Sequence, residues 1–189
     1  MARPKSEDKR RAIVEAAARI FAERGIANAP TSAISKAAGV AEGSLFTYFK
    51  TKSDLMNEVY RELRQGFGHA MSDFPYGADA ITRLRYIWDK YLDIGLAHPE
   101  RLKVLAQLRA SGKLFHENEK PTFVFVEVIK AARETASAAQ LHNADPEFLV
   151  LSMRAQAEAT IEFIQVHPGQ EAVCRELGFR MLLTGLAAK

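Results

Sequence analysis

Apolar residues recur every three or four positions through most of this sequence, which is the spacing of amphipathic α-helices. In the first such segment Ile13, Ile20 and Phe21 fall on one face, and Gly25 ends the repeat. Residues 123–126, Phe-Val-Phe-Val, have a strand-like composition, but no second strand signal exists for them to pair with. We therefore expect this segment to be helical and the fold to be all-α, with about nine helices.

Proline and glycine residues divide the apolar repeats into separate helices. The predicted helices cover about residues 7–24, 32–38, 42–49, 53–71, 79–97, 100–110, 121–141, 146–166 and 170–187. The break at residues 72–77, Ser-Asp-Phe-Pro-Tyr-Gly, is the predicted domain boundary.

Residues 31–52 have the pattern of two short helices joined by a tight turn. Thr31 follows a proline and can cap the first helix, whose inner face is predicted to carry Ile34, Ala37 and Ala38. Gly39 then supplies the positive backbone angle that a helix C-terminus commonly needs.

The second short helix has a clear buried side, because Leu45 and Phe49 lie four residues apart. Thr51 and Asp54 form a Thr-x-x-Asp cap for the helix that follows. This arrangement predicts a helix-turn-helix that places its second helix in the major groove of DNA.

The motif resembles the DNA-binding domain of the tetracycline-repressor (TetR) family of bacterial transcriptional regulators, over about residues 13–60. The matching residues are Thr31, Ile34, Ala37-Ala38-Gly39-Val40, Gly43-Ser44-Leu45-Phe46-Thr47-Tyr48-Phe49-Lys50-Thr51-Lys52 and Asp54-Leu55. The sequence departs from the family at Ala41, where a capping Ser is common, and at Glu42, where a polar or basic residue is common.

The resemblance implies a dimeric regulator with three parts. We expect residues 1–52 to form the helix-turn-helix DNA-binding domain and residues 53–76 to form a connecting helix and boundary loop. Residues 77–189 would form a helical effector-binding and dimerisation domain.

Hydroxyls, an amine and a helix N-terminus suit contacts to phosphates, whereas small or apolar side chains on the outward face suit base edges and thymine methyls. The predicted phosphate contacts are Thr31, Ser32, Tyr48 and Lys52, and the predicted base-facing residues are Ser44 and Phe46. Gly43 would allow close backbone approach, and Thr47 is a further DNA-binding candidate on the outward face. Glu42 either accepts a hydrogen bond from a cytosine amino group or is tolerated by the helix dipole, and we favour the dipole.

Positive charge is concentrated at the N-terminal end, as expected for a region that faces a polyanion. Residues 1–56 hold 10 Lys and Arg against 6 Asp and Glu, whereas residues 57–189 hold 16 against 17. The basic residues before the first apolar repeat, Arg3, Lys5, Lys9, Arg10 and Arg11, are either a DNA-contacting arm or a solvated terminus.

Several functional classes lack support in the sequence. There is no run of 18 apolar residues and no signal-peptide pattern, so we expect no membrane partner and a cytoplasmic protein. Cys174 is the single cysteine, no Cys/His spacing suggests a metal, and no cofactor is expected. An enzyme is the least favoured class, because nucleophile, phosphate-loop and paired-carboxylate motifs are missing.

Two sets of residues in the C-terminal region have predicted roles. An effector pocket between helices could be lined by Trp88, Tyr91, Arg109, Phe123, Met153 and Phe163, although each is individually better explained as a core or surface residue. Small residues on the last two helices predict a four-helix homodimer interface formed by Ala155, Ala159, Gly178, Met181, Leu182 and Gly185, with an intramolecular core as the alternative.

The preferred function is a dimeric repressor that binds a palindromic operator in double-stranded DNA and is released by an unknown small-molecule effector. The second hypothesis is a DNA-binding regulator whose C-terminal region serves only for dimerisation or protein docking.

Overall fold

The computed structural model describes residues 5–115, 122–135 and 145–187, and this part of the chain is built from α-helices and one short 3-10 turn. The helices are α1 Lys5–Arg24, α2 Thr31–Ala37, α3 Glu42–Tyr48, α4 Lys52–His69, α5 Ala80–Ala97, α6 Pro99–Ala110, α7 Phe123–Thr135, α8 Pro146–Val166 and α9 Glu171–Ala187. The all-α prediction is confirmed, and the predicted helical residues 136–141 lie outside the described part.

The predicted start of α2 needs a correction. Thr31 is the first helical residue, Pro30 holds the N-cap position, and no side chain caps the helix. Proline suits this place because its extended backbone leads into the helix, and its missing N–H is not needed there. The predicted inner face is also wrong at Ala37, which is exposed, whereas Ser35 is buried and donates to the Ser32 carbonyl at 3.1 Å.

The described residues form two compact units. The first, called the head below, comprises residues 5–66 and 99–115. Its core contains large side chains that are fully excluded from solvent, namely Ile13, Phe21, Ile34, Leu45, Leu55, Val59 and Leu108.

Helix α6 belongs to the head although it lies far along the chain from the helix-turn-helix. The Ile26 backbone N–H donates to Gln107 Oε1 at 3.2 Å, and the Asn57 amide donates to the Lys113 carbonyl at 2.9 Å. The Phe115 backbone N–H in turn donates to Asn57 Oδ1 at 2.6 Å. These bonds join α6 and the segment after it to the loop that follows α1 and to α4. The three-part functional division expected from the sequence stays a prediction.

The second unit, called the body below, comprises residues 67–98, 122–135 and 145–187. Helix α5 packs against α7, α8 and α9, and its Trp88 is completely buried. Asp79 caps α5, and hydrogen bonds from the backbone and hydroxyl of Thr82 hold the pKa of its carboxyl below the usual value. Asp145 caps α8 through the Glu147 backbone N–H, so both predicted helix starts are confirmed.

Candidate DNA-binding site

The turn between α2 and α3 is fixed by backbone geometry. Gly39 has a φ of +68°, in the region that glycine enters without steric cost. The Val40 backbone N–H donates to the Ser35 carbonyl at 3.0 Å, and the Ala38 N–H donates to the Ile34 carbonyl at 2.9 Å. These bonds close the end of α2 and set the direction in which α3 leaves the turn, as the sequence predicted for Gly39.

Two buried residues determine which side of α3 faces solvent. Leu45 is fully buried and Phe49 is 4% exposed, so both anchor the helix to the core of the head, as predicted. Phe46, next to Leu45, is 42% exposed although it is a large apolar residue. A short helix anchored in this way presents one constant face to solvent.

That exposed face carries most of the predicted DNA-facing residues. Glu42, Gly43 and Thr47 are exposed with Phe46, whereas Ser44 and Tyr48 are half-buried. The Thr47 hydroxyl donates to the Gly43 carbonyl at 3.2 Å, which leaves its methyl group as the part free to meet a partner. The structure brings these residues together on one helix, and their individual contacts to DNA remain predictions.

Glu42 has a protein partner that the sequence did not reveal. The Thr31 hydroxyl, at the first position of α2, donates to Glu42 Oε1 at 2.9 Å. Ser32 beside it is exposed. The bond links the N-termini of α2 and α3. While its only proton is donated to Glu42, the Thr31 hydroxyl can accept hydrogen bonds but cannot donate one to a phosphate.

Lys52 occupies the start of α4, where the predicted cap is confirmed. The Thr51 backbone N–H donates to Asp54 Oδ2 at 2.8 Å, and the Asp54 N–H donates to Thr51 Oγ1 at 3.1 Å. Lys52 Nζ donates to the Ile26 carbonyl at 2.6 Å, and burial followed by the nearby charge of Lys113 lowers its pKa. The ammonium keeps two further protons, so the bond to Ile26 leaves donors for a phosphate.

The six residues predicted to line an effector pocket do not share one environment. Arg109 belongs to the head and the other five belong to the body. Trp88 Nε1 donates to the Arg175 carbonyl at 3.1 Å, and the Tyr91 hydroxyl donates to Glu158 at 2.9 Å.

The remaining predicted pocket residues range from buried to exposed, with Met153 6%, Phe123 37% and Phe163 45% exposed. A groove of about 670 Å³ in the head, between α1, α4 and α6, is lined by none of the six. A shared effector pocket stays a prediction.

Gly178, a predicted dimer-interface residue, packs closely against other helices of the same chain. It is buried, and a Cβ at this position would lie 2.7 Å from Trp88 Cζ2 and 3.0 Å from Thr160 Oγ1. The small residue therefore allows α9 to approach α5 and α8 within the body. Leu182 is half-buried, whereas Ala155, Ala159, Met181 and Gly185 are exposed.

The exposed interface candidates lie in longer apolar stripes that the sequence reasoning missed. The α8 stripe consists of Phe148, Leu151, Ala155, Ala159, Phe163 and Val166, and the α9 stripe consists of Val173, Leu177, Met181 and Gly185. Helix α8 buries a second apolar series on its other side, formed by Leu149, Met153, Ala157, Ile161 and Ile164. A helix with apolar residues on two sides is typical of a helix that is covered on both sides. This double pattern is visible in the sequence and could have predicted the stripes.

Within residues 5–115, 122–135 and 145–187, no three His, Cys, Asp or Glu side chains are grouped so that they could hold a metal ion. None of the helices described is long and apolar enough to span a membrane.

Comparison with known proteins supports the helix-turn-helix interpretation. Residues 13–59 match the family described as bacterial regulatory proteins, tetR family. The fatty acid metabolism regulator protein of Bacillus subtilis (strain 168) is 33% identical over 97 residues, which cover 51% of this chain and 50% of that protein. The HTH-type transcriptional regulator AcrR of Shigella flexneri is 28% identical over 116 residues, which cover 60% of this chain and 51% of AcrR. The chain therefore spans about half the length of these curated relatives.

A crystal structure supports the same fold along nearly the whole chain. A tetR family transcription regulator from Shewanella sp. PV-4 superposes with a TM-score of 0.80 and 21% identity, covering 96% of this chain and 99% of that one. At this identity the likeness establishes the fold. Together with the match over residues 13–59, it confirms the predicted resemblance to the tetR family of bacterial regulatory proteins.

Proposed function

We propose that the protein is a dimeric, sequence-specific DNA-binding transcription regulator that acts as a repressor and is released from its operator by a small molecule. The observation that carries this proposal is the exposed face of α3, with Phe46 at its centre, inside the segment that matches the family. A large apolar side chain on a polar, solvent-facing helix is suited to a thymine methyl group in the major groove.

The proposed contacts divide into positioning and reading. Ser32, Tyr48 and Lys52 would donate to phosphates, which fixes the register without selecting a sequence. Thr31 would join them by turning its hydroxyl proton from Glu42 to a phosphate oxygen. Ser44, Phe46 and Thr47 would meet base edges, and Gly43 would let the backbone approach closely. In the free protein Glu42 is held by Thr31 at the first turn of α3, where a carboxylate is also favoured by the helix dipole. This pairing supports a structural role for Glu42 over cytosine recognition.

The proposed homodimer rests on the apolar stripes of α8 and α9. In these stripes Val166 is 70% exposed, Val173 66%, Phe148 64% and Met181 60%. Soluble proteins rarely leave such contiguous apolar surface exposed to water. A second copy of the chain, which presents the same stripes, would bury this surface in a symmetric interface. A dimer would also supply two α3 helices to a palindromic site.

The effector remains the least specified part of the proposal. One relative is named for the regulation of fatty acid metabolism, so fatty acids are the first compounds to screen for release of DNA. The competing hypothesis is a body that serves only for dimerisation or protein docking, which the dense packing around Trp88 favours. An enzyme is not proposed, because the matching family consists of regulators.

The test combines two measurements on the purified protein. Light scattering after size exclusion should give the mass of two chains. Fluorescence anisotropy with a labelled pool of random-sequence duplexes should show binding. The logarithm of the observed binding constant should fall linearly with the logarithm of the salt concentration. A monomer would overturn the dimer, and no binding at low salt would overturn the proposed function.

A further inference from the structure

Arg10 on α1 lies among the basic N-terminal residues that the sequence left open as a DNA-contacting arm. Its guanidinium instead points into the head. Arg10 Nη2 lies 2.6 Å from Glu58 Oε1 on α4, and its guanidinium carbon lies 5.3 Å from the centre of the Phe49 ring. The Arg10 side chain is 35% exposed, so about two thirds of its surface is covered.

Glu58 is an unusual partner because it is a buried carboxylate. Its side chain is 6% exposed, and it also pairs with Arg61 on the same helix. A carboxylate is rarely buried unless a cation stands beside it. Arg61 is itself 50% exposed and belongs to α4, so Arg10 is the partner that connects Glu58 to another helix.

Phe49 is the residue at which the recognition helix ends. It holds the C-cap position of α3, its backbone N–H donates to the Leu45 carbonyl at 2.9 Å, and its ring is buried. Arg10 therefore lies beside the C-cap residue of α3 and pairs with a residue in the second turn of α4. One side chain of α1 spans the junction between the two helices.

We propose that Arg10 is a positioning residue, which fixes α3 for DNA binding through Glu58 and Phe49 and does not contact a phosphate. This inference rests on the proposed DNA-binding function. Its charge is engaged by Glu58, and its guanidinium carbon lies over the Phe49 ring, which anchors α3. Loss of Arg10 leaves a buried carboxylate with weaker compensation, and the junction rearranges to bring Glu58 toward water.

Arg11 provides a matched control on the same helix. Its side chain is 56% exposed, and its neighbours are Asp8 at 3.8 Å and Glu15 at 3.7 Å, both on α1. Substitution of Arg11 removes the same charge without disturbing the junction of α3 and α4.

The experiment compares R10M, R11M and the double variant R10M/E58M, whose net charge equals that of the wild type. The probe is the duplex that the wild-type protein enriches from a random-sequence pool. R10M should weaken binding by about threefold to thirtyfold with an unchanged salt slope, because it acts without touching DNA. R10M/E58M should regain most of the affinity, since both members of the buried pair are gone. R10M/E62M removes an exposed carboxylate of α4 instead, and it should not regain DNA affinity.

Hydrogen exchange of the free protein provides a readout that does not depend on DNA. The backbone amides of Leu45 and Phe49 should exchange faster in R10M than in R11M or the wild type. If R10M does not fold, R10K takes its place, because it keeps the charge but loses the planar guanidinium that pairs with Glu58 beside Phe49.

The outcomes separate the two claims. A salt slope that falls by about one in R10M, with no rescue by E58M and unchanged exchange in α3, would identify Arg10 as a phosphate contact and overturn the inference. A wild-type protein that enriches no duplex would overturn the proposed function. In that case faster exchange at Leu45 and Phe49 in R10M would still support the positioning role, and unchanged exchange would refute it.

Discussion

The head and the body differ in where they expose large apolar side chains. Among the described residues, the head exposes Phe46 on α3 and Phe115 after α6. The body exposes many more, and most of these form the stripes of α8 and α9. This contrast indicates that the head is built to meet water and a polar partner, whereas part of the body is built to be covered by another apolar surface.

The two units also differ in how their glycines are used. In the head, Gly39 permits a positive φ that turns the chain between α2 and α3. In the body, Gly178 permits α9 to come close to Trp88. A turn glycine can be recognised from its neighbours in sequence, but a packing glycine depends on a residue far along the chain.

The largest expected effect concerns the apolar stripe of α9. Replacing both Leu177 and Met181 with Glu should convert the proposed dimer into a monomer, because each carboxylate buried without a partner costs about 3 kcal/mol or more. Light scattering after size exclusion would measure this. Glutamates at Gln165 and Ala172, which are exposed outside the stripes, provide the control with the same number of acidic side chains. A dimer that survives the first pair would place the interface elsewhere.

Adjacent residues on α3 should separate stability from recognition. Leu45→Ala should reduce the free energy of unfolding by about 2–5 kcal/mol, because it opens a cavity in the head core. Phe46→Ala should change that quantity by about 0.5 kcal/mol or less while altering the preferred operator bases. Thermal unfolding and selection from random duplexes are the two measurements. An unaltered base preference in Phe46→Ala would mean that the wrong face of α3 has been assigned to DNA.

Two glycines of α9 should respond in opposite directions to alanine. Gly178→Ala forces a Cβ against Trp88, which costs about 1–3 kcal/mol and outweighs the gain in helix propensity of about 1 kcal/mol. Gly185→Ala meets no atom within 4 Å in one chain, so it should be neutral or slightly stabilising. Chemical denaturation of both variants would measure the difference. Equal stabilities would contradict the tight packing of α9 on Trp88.

The smallest expected effect belongs to Lys52. Lys52→Met should lower the salt slope of DNA binding by about one, because one phosphate contact is lost. Since its pKa is lowered by burial and by Lys113, its positive charge should be lost at a lower pH than that of an ordinary lysine. The contribution of Lys52 to DNA affinity should therefore be lost at a lower pH than the contributions of ordinary lysines. A salt slope equal to that of the wild type would mean that Lys52 contacts no phosphate and has only its structural hydrogen bond to the Ile26 carbonyl.

Much of the helix-turn-helix could be predicted because its determinants are local. Gly39, the pair Leu45 and Phe49, and the Thr51 and Asp54 cap all lie within a few residues of the structure they specify. The prediction from neighbouring residues was wrong where either of two small residues could face the core, as at Ser35 and Ala37. Nothing in their size decides which one faces inward, and the Ser35 hydroxyl is satisfied by a backbone carbonyl that only the folded helix supplies.

The rest of the architecture depends on contacts between distant segments. The assignment of α6 to the head follows from bonds such as Ile26 to Gln107, which no periodicity within α6 reveals. The same holds for Arg10 and Glu58, since a basic residue near the N-terminus looks like any solvated charge until its partner is known. On α8 and α9 the interface prediction rested on small residues, but large exposed apolar residues form most of the two stripes.

The central claim is that two copies of this chain present two α3 helices to one DNA site. Selection of bound duplexes from a random pool by the wild-type protein at near-physiological salt tests it most directly. We predict an enriched site with two-fold symmetry, whose halves are separated by about one turn of DNA. A single asymmetric site, or salt-sensitive binding without any enriched sequence, would contradict the claim.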